Sequence, residues 1–355
     1  MPKKKIRVGI VGAGFISQVA HIPSYVRNPK CEVIALAELR TELGKSVCRR
    51  WNIPRFYSSH TSMLEDKDID LVVVVVKRHH TGPIARDVLL SGKNLFTEKP
   101  MAQTKDKALY LSEIATKSGL KYSVGFMRRY DDGIRLAKYY LSALLKSKEL
   151  GEVLGARAYL SAGGDYCNIG GDLKSSEPKP EGREWPIAPS FLPEELHVSY
   201  EHFVNVCIHD INLLRFMFEG HTISPKYVEY NKKRGAIAVL DFGDFCGTFD
   251  WSETLQPTRW DEGLEIRFQR GYLKLNLKPA FLRNQPAEVK IYTYRSRDES
   301  FYTMPCADWT WAFENEANAM IDGLLGNIDT ISTAEDSVKD FDIIDDIWRI
   351  INSKE

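Results

Sequence analysis

The sequence has few of the features that mark secreted, membrane-embedded or nucleic-acid-binding proteins. Its six cysteines are widely scattered and include no Cys-x-x-Cys pair, so neither a disulfide framework nor a metal site is indicated. It has no apolar run long enough for a transmembrane helix. The 48 basic residues balance the 48 acidic ones, so no global field attracts nucleic acid or a membrane surface. We therefore expect a soluble, cytoplasmic protein with reduced thiols.

The remaining composition is that of a globular protein, and 355 residues are enough for two domains. Up to about residue 126, apolar runs alternate with helical patterns, which predicts an α/β fold with a doubly wound parallel sheet. Beyond it, alternating apolar and polar residues predict a mostly antiparallel sheet with one apolar face. We therefore predict a dinucleotide-binding-type α/β domain over residues 1–126 and an α+β domain over residues 127–355.

A glycine-rich segment, Gly12-Ala13-Gly14-Phe15-Ile16-Ser17, follows the first predicted strand. It is the G-x-G-x-x-G pattern with serine at the third glycine position. The first glycine allows a tight turn, the second lets a pyrophosphate approach the backbone, and the following helix supplies N–H donors. A turn of purely local origin is the alternative interpretation.

Two charged residues near the end of the second predicted strand bear on the choice of cofactor. Glu38 is placed to accept hydrogen bonds from ribose hydroxyls and to repel a 2′-phosphate, whereas Arg40 offers that phosphate a partner. We therefore predict NAD as the cofactor, with NADP as the alternative.

Further polar residues gather where the predicted strands end, which is the edge at which such sheets bind ligands. Lys99, within Glu98-Lys99-Pro100, is expected near the nicotinamide end of a cofactor, although a surface lysine before a turn would give the same pattern. The predicted cofactor-binding residues are Gly12, Gly14, Phe15, Ile16, Glu38, Arg40, Lys77, His80, Glu98 and Lys99.

The stretch 202–219 carries a narrow polar stripe when its residues are placed at helical spacing. The stripe consists of His202, Asn205, His209, Asn212 and Phe216, and apolar residues occupy most of the remaining surface. Such a helix is buried on most sides and faces a wet cavity on one. The alternative is a set of core histidines and asparagines bonded to backbone carbonyls.

These features together resemble the Gfo/Idh/MocA family of NAD(P)-dependent sugar and cyclitol oxidoreductases. The resemblance covers nearly the whole chain, through VGIVGAGFIS, VLLSGKNLFTEKPMA, VGFMRRY, NVCIHDINLLRF and AFENEANAMIDGLLGN. It implies an N-terminal Rossmann domain and an open-faced substrate domain whose sheet often joins subunits, so we expect a homo-oligomer, either a dimer or a tetramer. In the family, the lysine of the EKP element and the histidine of a D-x-x-x-H motif serve the redox chemistry, and these map onto Lys99 and His209.

The sequence departs from the family pattern at two places. Asn205 stands where the family has aspartate, which replaces a carboxylate with a neutral hydrogen-bonding group. Lys77-Arg78 replaces the usual Pro-Asn, and Thr81 falls at the family's histidine position, just after His80. Contacts near the nicotinamide are therefore expected to differ.

The resemblance implies hydride transfer between a nicotinamide cofactor and a hydroxyl or keto group of a sugar, nucleotide sugar or cyclitol. Lys99, His209 and Asn205 are the predicted catalytic residues, with His209 exchanging the proton. Two alternatives stay open: an NAD-dependent glycosidase of the same family with no net redox change, and a catalytically inactive NAD-binding regulatory protein.

Substrate specificity is expected to depend on residues 163–200, which are rich in glycine, proline and charge. A long irregular stretch of this kind is a lid, a binding loop or a disordered insertion. Arg128 and Arg129 are placed to meet a phosphate or carboxylate, with structural roles as the alternative. The predicted substrate-binding residues are Arg128, Tyr166, Trp185, Asn205 and His209.

Overall fold

The structure, a computed structural model, describes residues 5–162, 169–179, 181–232, 235–253 and 260–354. The chain divides into two compact units. The first unit comprises Met1–Phe126, Gly170–Ser190 and Phe313–Phe341, and the second comprises Met127–Ile169, Phe191–Ala312 and Asp342–Glu355. The chain first passes from one unit to the other at residue 126, where the sequence pattern changes, and then returns to the first unit twice.

A six-stranded parallel sheet forms the centre of the first unit, in the order β3-β2-β1-β4-β5-β6. Its strands are β1 (Ile6–Val11), β2 (Cys31–Ala37), β3 (Arg55–Tyr57), β4 (Leu71–Val74), β5 (Asn94–Glu98) and β6 (Tyr122–Gly125). The valines of β4 are fully buried, as expected for a central strand covered on both faces. The strand order reverses between β1 and β4, which is where doubly wound sheets bind ligands.

Helices connect these strands. They are α1 (Ile22–Arg27), preceded by a π-helical turn at Ser17–His21, then α2 (Thr41–Trp51), α3 (His60–Leu64), α4 (Arg78–Leu90) and α5 (Lys105–Ser118). The end of α5 shows why one helix stops where it does, because Gly119 adopts a left-handed conformation with φ of 64°.

The second unit is built on an eight-stranded sheet in the order β14-β13-β12-β11-β7-β10-β9-β8. Every strand pair in it is antiparallel except β7 with β10. In chain order, its elements are α6 (Asp132–Ser147), β7 (Val153–Ala162), α7 (Glu194–Val206), α8 (Ile208–Met217), β8 (Ser224–Asn231), β9 (Gly235–Asp241), β10 (Cys246–Glu253), β11 (Trp260–Phe268), β12 (Gly271–Leu277), β13 (Glu288–Ser296) and β14 (Glu299–Thr303). The predicted fold class is confirmed for both parts.

Three helices close the chain: α9 (Ala312–Gly326), α10 (Ala334–Val338) and α11 (Asp340–Asn352). Ala317, Met320 and Ile321 of α9 are almost fully buried in the hydrophobic core of the first unit. In the part of the chain that the structure describes, no helix is long and apolar enough to cross a membrane.

Several element boundaries differ from the sequence expectation. The single helix expected over 202–219 is two helices that meet at Cys207, and the first begins at Glu194, inside the stretch expected to be irregular. Glu194 and Glu195 follow Pro193, and an acidic pair at this position is typical of the first turn of a helix. The pair lies outside residues 202–219, the stretch whose residues were placed at helical spacing. At the C-terminal end, α10 and α11 are separate helices, with Lys339 between them.

Candidate functional site

The turn after β1 has the geometry that the glycine pattern predicts. Gly12 adopts φ of 99°, and a Cβ atom there would lie 2.2 Å from the carbonyl oxygen of Val75, so only glycine fits. Its N–H donates to the carbonyl of Ala37 at 2.8 Å, which links the turn to the end of β2. The turn is therefore held between β2 and the segment that follows β4.

The backbone at Gly14 is open. A Cβ atom at this position would meet nothing within 4 Å, and the neighbouring Phe15 and Ile16 are more than a third exposed. Ser17, at the third glycine position, is buried and donates its hydroxyl to the carbonyl of Gly12 at 2.6 Å, which closes the turn from inside. The open backbone at the start of a helical segment fits a pyrophosphate group.

Glu38 holds its carboxylate against this turn. The side chain is 7% exposed, and its Oε2 accepts the N–H of Ala13 at 2.7 Å. Arg40 folds back onto the same carboxylate, with Nε 2.9 Å from Oε1 and Nη2 3.1 Å from Oε2. The charge of Arg40 is therefore paired within the chain, while Glu38 lies at the strand end where an adenosine ribose binds in this class of sheet.

The ends of β4 and β5 carry the remaining residues predicted to bind the cofactor. Lys77 is exposed, and the ring of His80 lies 4.2 Å from that of His79 between centroids. The Nε2 atom of His80 is buried and has no hydrogen-bond partner among the described residues. Lys99 is half-buried and precedes Pro100 through a cis peptide bond.

A buried network lies next to Lys99 and was not predicted from the sequence. Glu98 accepts the N–H of Lys99 at 3.1 Å through Oε2, and its Oε1 lies 2.7 Å from Nε2 of His21. Glu316 of α9 is 1% exposed, and burial together with the negative charge of Glu98 raises the pKa of its carboxyl well above its usual value. The only sequence signal for this group is an acidic residue within an otherwise buried helical pattern.

In the second unit, the polar stripe of α7 and α8 includes exposed and half-buried residues beside a buried apolar surface. His202 is exposed and Asn205 and His209 are half-buried, whereas Phe203, Val204 and Ile211 are at most 2% exposed. Asn212 departs from this pattern, because it is buried and accepts a hydrogen bond from Nε of Arg129 at 2.6 Å. The amide of Asn212 therefore supports Arg129, and Asn205, His209 and Phe216 are the half-buried members of the stripe.

Arg128 is 5% exposed and lies among buried carboxyl groups. It forms an ion pair with Glu262 and donates to the carbonyl of Lys278 at 2.7 Å. Burial raises the pKa of the Asp210 carboxyl well above its usual value, and the negative charge of Glu262 adds to the effect. These partners give Arg128 a structural task, and its contact with substrate stays a prediction.

Trp185 belongs to the first unit, where it packs on α4 and α5. A Cβ atom on Gly82 would lie 2.4 Å from its ring, and Nζ of Lys107 lies 5.0 Å from a ring centroid. The ring of Tyr110 meets it edge-on at 6.2 Å. Substrate contact by Trp185 stays a prediction, and Tyr166 lies outside the described residues.

The predicted catalytic residues belong to different units, with Lys99 in the first and Asn205 and His209 in the second. Within the described ranges, no cluster of three or more His, Cys, Asp or Glu side chains is suited to holding a metal ion.

The strand order, the turn at Gly12 and Gly14 and the carboxylate of Glu38 define a dinucleotide-binding protein of the Rossmann class. The family described as "Oxidoreductase family, NAD-binding Rossmann fold" (GFO_IDH_MocA) matches residues 6–126. Residues 6–126 therefore match the NAD-binding domain of the Gfo/Idh/MocA oxidoreductases, which supports the family that the motifs predicted.

Among known proteins, the chain is 35% identical over 136 residues to an inositol 2-dehydrogenase/D-chiro-inositol 3-dehydrogenase from Lacticaseibacillus casei. That match covers 38% of this chain and 39% of the relative, so it spans well under half of either protein. The matched region therefore supports the family and leaves the activity of the whole protein as a proposal.

Solved structures match over nearly the full length. A protein from Desulfitobacterium hafniense, provisionally described as an NADPH-dependent oxidoreductase, has a TM-score of 0.80 at 15% identity, covering 99% of this chain and 97% of that one. KijD10, a 3-ketoreductase from Actinomadura kijaniata solved with NADP and TDP-benzene, has a TM-score of 0.75 at 17% identity, with 98% of each chain covered. At these identities the likeness shows the fold alone.

Proposed function

We propose that this chain is an NAD(H)-dependent oxidoreductase that interconverts a hydroxyl and a keto group on a sugar, nucleotide sugar or cyclitol. The observation that most directly supports the proposal is the open backbone at Gly14 beside the buried carboxylate of Glu38. The names of similar proteins suggest the substrate class in this proposal, because one relative is a dehydrogenase of inositols and one structural neighbour is a 3-ketoreductase.

Each predicted residue has a separate task in this proposal. Bound NAD(H) supplies the acceptor or donor of hydride. The turn at residues 12–14 holds the nucleotide through backbone N–H groups, and Glu38 accepts hydrogen bonds from the ribose. His209 takes the hydroxyl proton in oxidation and returns it in reduction, because imidazole titrates near neutral pH. Lys99 stabilises negative charge on the reacting oxygen, and Asn205 orients the hydroxyl.

The same proposal includes substrate contacts by Arg128, Tyr166 and Trp185, a homo-oligomeric state and a cytoplasmic location. Light scattering during size-exclusion chromatography measures the oligomeric state directly. A monomer at working concentration would contradict the homo-oligomer.

A screen of sugars, cyclitols and nucleotide sugars in both redox directions, followed by the absorbance of the reduced nicotinamide, tests the reaction. We expect net formation or consumption of NADH with at least one substrate class. Release of a sugar with no net NADH change would instead identify a glycosidase that uses bound NAD. Binding of NAD with no turnover of any compound would identify a regulatory protein.

Two substitutions test the chemical roles once a substrate is found. Lys99→Met removes the cation and His209→Phe removes the titrating ring, so each is expected to lower kcat by roughly a hundredfold or more. The Kd for NADH should change little in either variant. The matched control is His221→Phe, because His221 lies 5.9 Å from both Phe218 and Phe245 between ring centroids and accommodates an aromatic ring. Near-normal kcat in both test variants would show that the catalytic assignment is wrong.

A further inference from the structure

Residues 170–179, which we call the strap, belong to the first unit although they follow β7 in the sequence. Leu173 exchanges two hydrogen bonds with the side chain of Gln18, at 2.8 and 3.0 Å, and its own side chain packs against the core of the unit. The carbonyl of Gly171 accepts a hydrogen bond from Arg50 of α2. The strap is therefore docked beside both the glycine-rich turn and α2.

Glu177 of the strap lies at the beginning of α2. Its Oε1 accepts the N–H of Glu42 at 3.1 Å, and its Oε2 accepts the N–H of Leu43 at 3.0 Å. These N–H groups belong to the first turn of the helix, where no backbone carbonyl can receive them. The hydroxyl of Ser175 donates to Oε2 at 2.8 Å. These hydrogen bonds, led by that from Glu42, lower the pKa of Glu177, so its carboxylate is ionised at neutral pH.

In Rossmann domains, the region after the second strand lies next to the adenosine ribose, and this ribose carries a 2′-phosphate in NADP and a 2′-hydroxyl in NAD. A 2′-phosphate on the adenosine ribose would meet Glu38 at the end of β2, and it would need Arg40 or the N–H groups of the next helix as partners. Arg40 is already paired with Glu38 and also experiences the negative charge of Glu177. Both partners for a phosphate are therefore engaged by carboxylates of the chain itself.

We propose that Glu177 is a specificity-determining residue that selects NAD(H) over NADP(H), because its carboxylate occupies the N–H groups that a 2′-phosphate would use and repels that phosphate. The inference rests on the proposed function, since it places the adenosine ribose of a nicotinamide cofactor beside Glu38. It assigns the strap a task in cofactor choice that is separate from any part in substrate binding.

The experiment measures the Kd for NADH and for NADPH on the full chain by titration calorimetry. Glu177→Gln removes the charge but keeps one acceptor oxygen, whereas Glu177→Ala removes both the charge and the acceptor. We expect the Kd for NADPH to fall by roughly fivefold in Glu177→Gln and by more in Glu177→Ala, because a phosphate at a helix N-terminus gains favourable interactions. The Kd for NADH should stay within about twofold of the unmodified value, because NADH has no 2′-phosphate.

Glu184→Gln is the matched control, since Glu184 is an exposed carboxylate that pairs with Arg86 of α4 and not with α2. It should leave the ratio of the two Kd values unchanged. The inference is overturned if neither Glu177 variant changes that ratio, if the control changes it equally, or if the unmodified protein prefers NADPH. If the unmodified protein binds neither nucleotide, the proposed function fails first and this inference fails with it.

Discussion

Glu316 places a carboxyl group in the interior of the first unit, and neither of its oxygens has a hydrogen-bond partner within the described residues. Burial is the main cause of its raised pKa, and the charge of Glu98 adds to it. Glu98 is itself held by His21, whose ring lies 5.5 Å from the rings of Phe96 and Phe313 between centroids. Glu316 is therefore expected to keep its proton to a higher pH than an ordinary carboxyl group does.

A proton held in this way makes folding less favourable as the pH rises. Above the ordinary carboxyl pKa of about 4.3, the unfolded chain releases the proton while the folded chain retains it. The stability contribution of a carboxyl with a raised pKa is present at low pH and is lost as the pH rises from that ordinary value towards the folded-state pKa. Glu316→Gln cannot ionise, so its stability relative to the unmodified protein should increase as the pH rises above about 5.

Urea unfolding at several pH values measures this difference. Glu314→Gln on the same helix is the control, because Glu314 is partly exposed and lies 3.8 Å from Arg27. A stability difference between Glu316→Gln and the unmodified protein that is constant across the pH range would contradict the prediction.

At the residue scale, a sequence pattern indicates contacts within one strand–turn–helix unit better than contacts between residues far apart in the chain. Gly12, Gly14 and Glu38 come together because a strand, a turn and a helix have a standard geometry that their spacing reveals. Glu177 meets α2 across a separation of 135 residues, and no local pattern contains that contact. The partners of Arg128 show the same limit, because Glu262 is 134 residues away and appears in the sequence as an ordinary strand residue.

At the scale of elements, a buried strand is easier to recognise in the sequence than an exposed one. The sequence indicates the strands β1 and β2 clearly because they are nearly continuous apolar runs. Three strands have weak patterns of their own: β3 has three residues, all five residues of β14 are exposed, and β8 contains Pro225. Their backbones join a sheet through long-range pairing that their own residues do not specify.

The contact of Trp185 with α4 yields a prediction about two elements. Gly82→Ala would place a methyl group within 2.4 Å of the Trp185 ring, and the ring must move. We expect this substitution to lower the free energy of unfolding by about 1–3 kcal/mol. In a Trp185→Ala background the same change should cost clearly less, because only the restriction on the residue before Pro83 remains.

A double-mutant cycle by urea unfolding measures the coupling between the two positions. Equal costs of Gly82→Ala in both backgrounds would show that the ring does not pack on α4 in solution. Because both residues belong to the first unit, the cycle reports on the docking of residues 181–190 and not on the second unit.

At the scale of the whole molecule, the first unit includes segments that lie beyond residue 126 in the sequence. The first unit is completed by two segments that arrive after the chain has entered the second unit. The later of these includes α9, whose Asn318 accepts a hydrogen bond from Asn28 at 2.8 Å. The sequence of α9 does not show which unit its buried face completes.

Burial of Met320 and Ile321 of α9 contributes a large part of the stability of the first unit. They are 1% and 0% exposed within the core that also contains Val8, Ile10 and Phe96. Removing a buried side chain of this size costs about 2–5 kcal/mol, so losing both removes roughly 4–10 kcal/mol. That loss is comparable to the whole stability of a typical domain, about 5–15 kcal/mol.

We therefore predict that a fragment of residues 1–126 does not form a stable nucleotide-binding domain, although it contains every strand of the parallel sheet and the whole family match. Thermal unfolding followed by circular dichroism should show no cooperative transition for the fragment, and NADH should not bind to it. Adding residues 313–341 through a flexible linker is the control, because it restores α9 and α10, and it should recover a cooperative transition. A fragment of residues 1–126 that melts cooperatively and binds NADH as tightly as the full chain would show that α9 covers a core already stable without it.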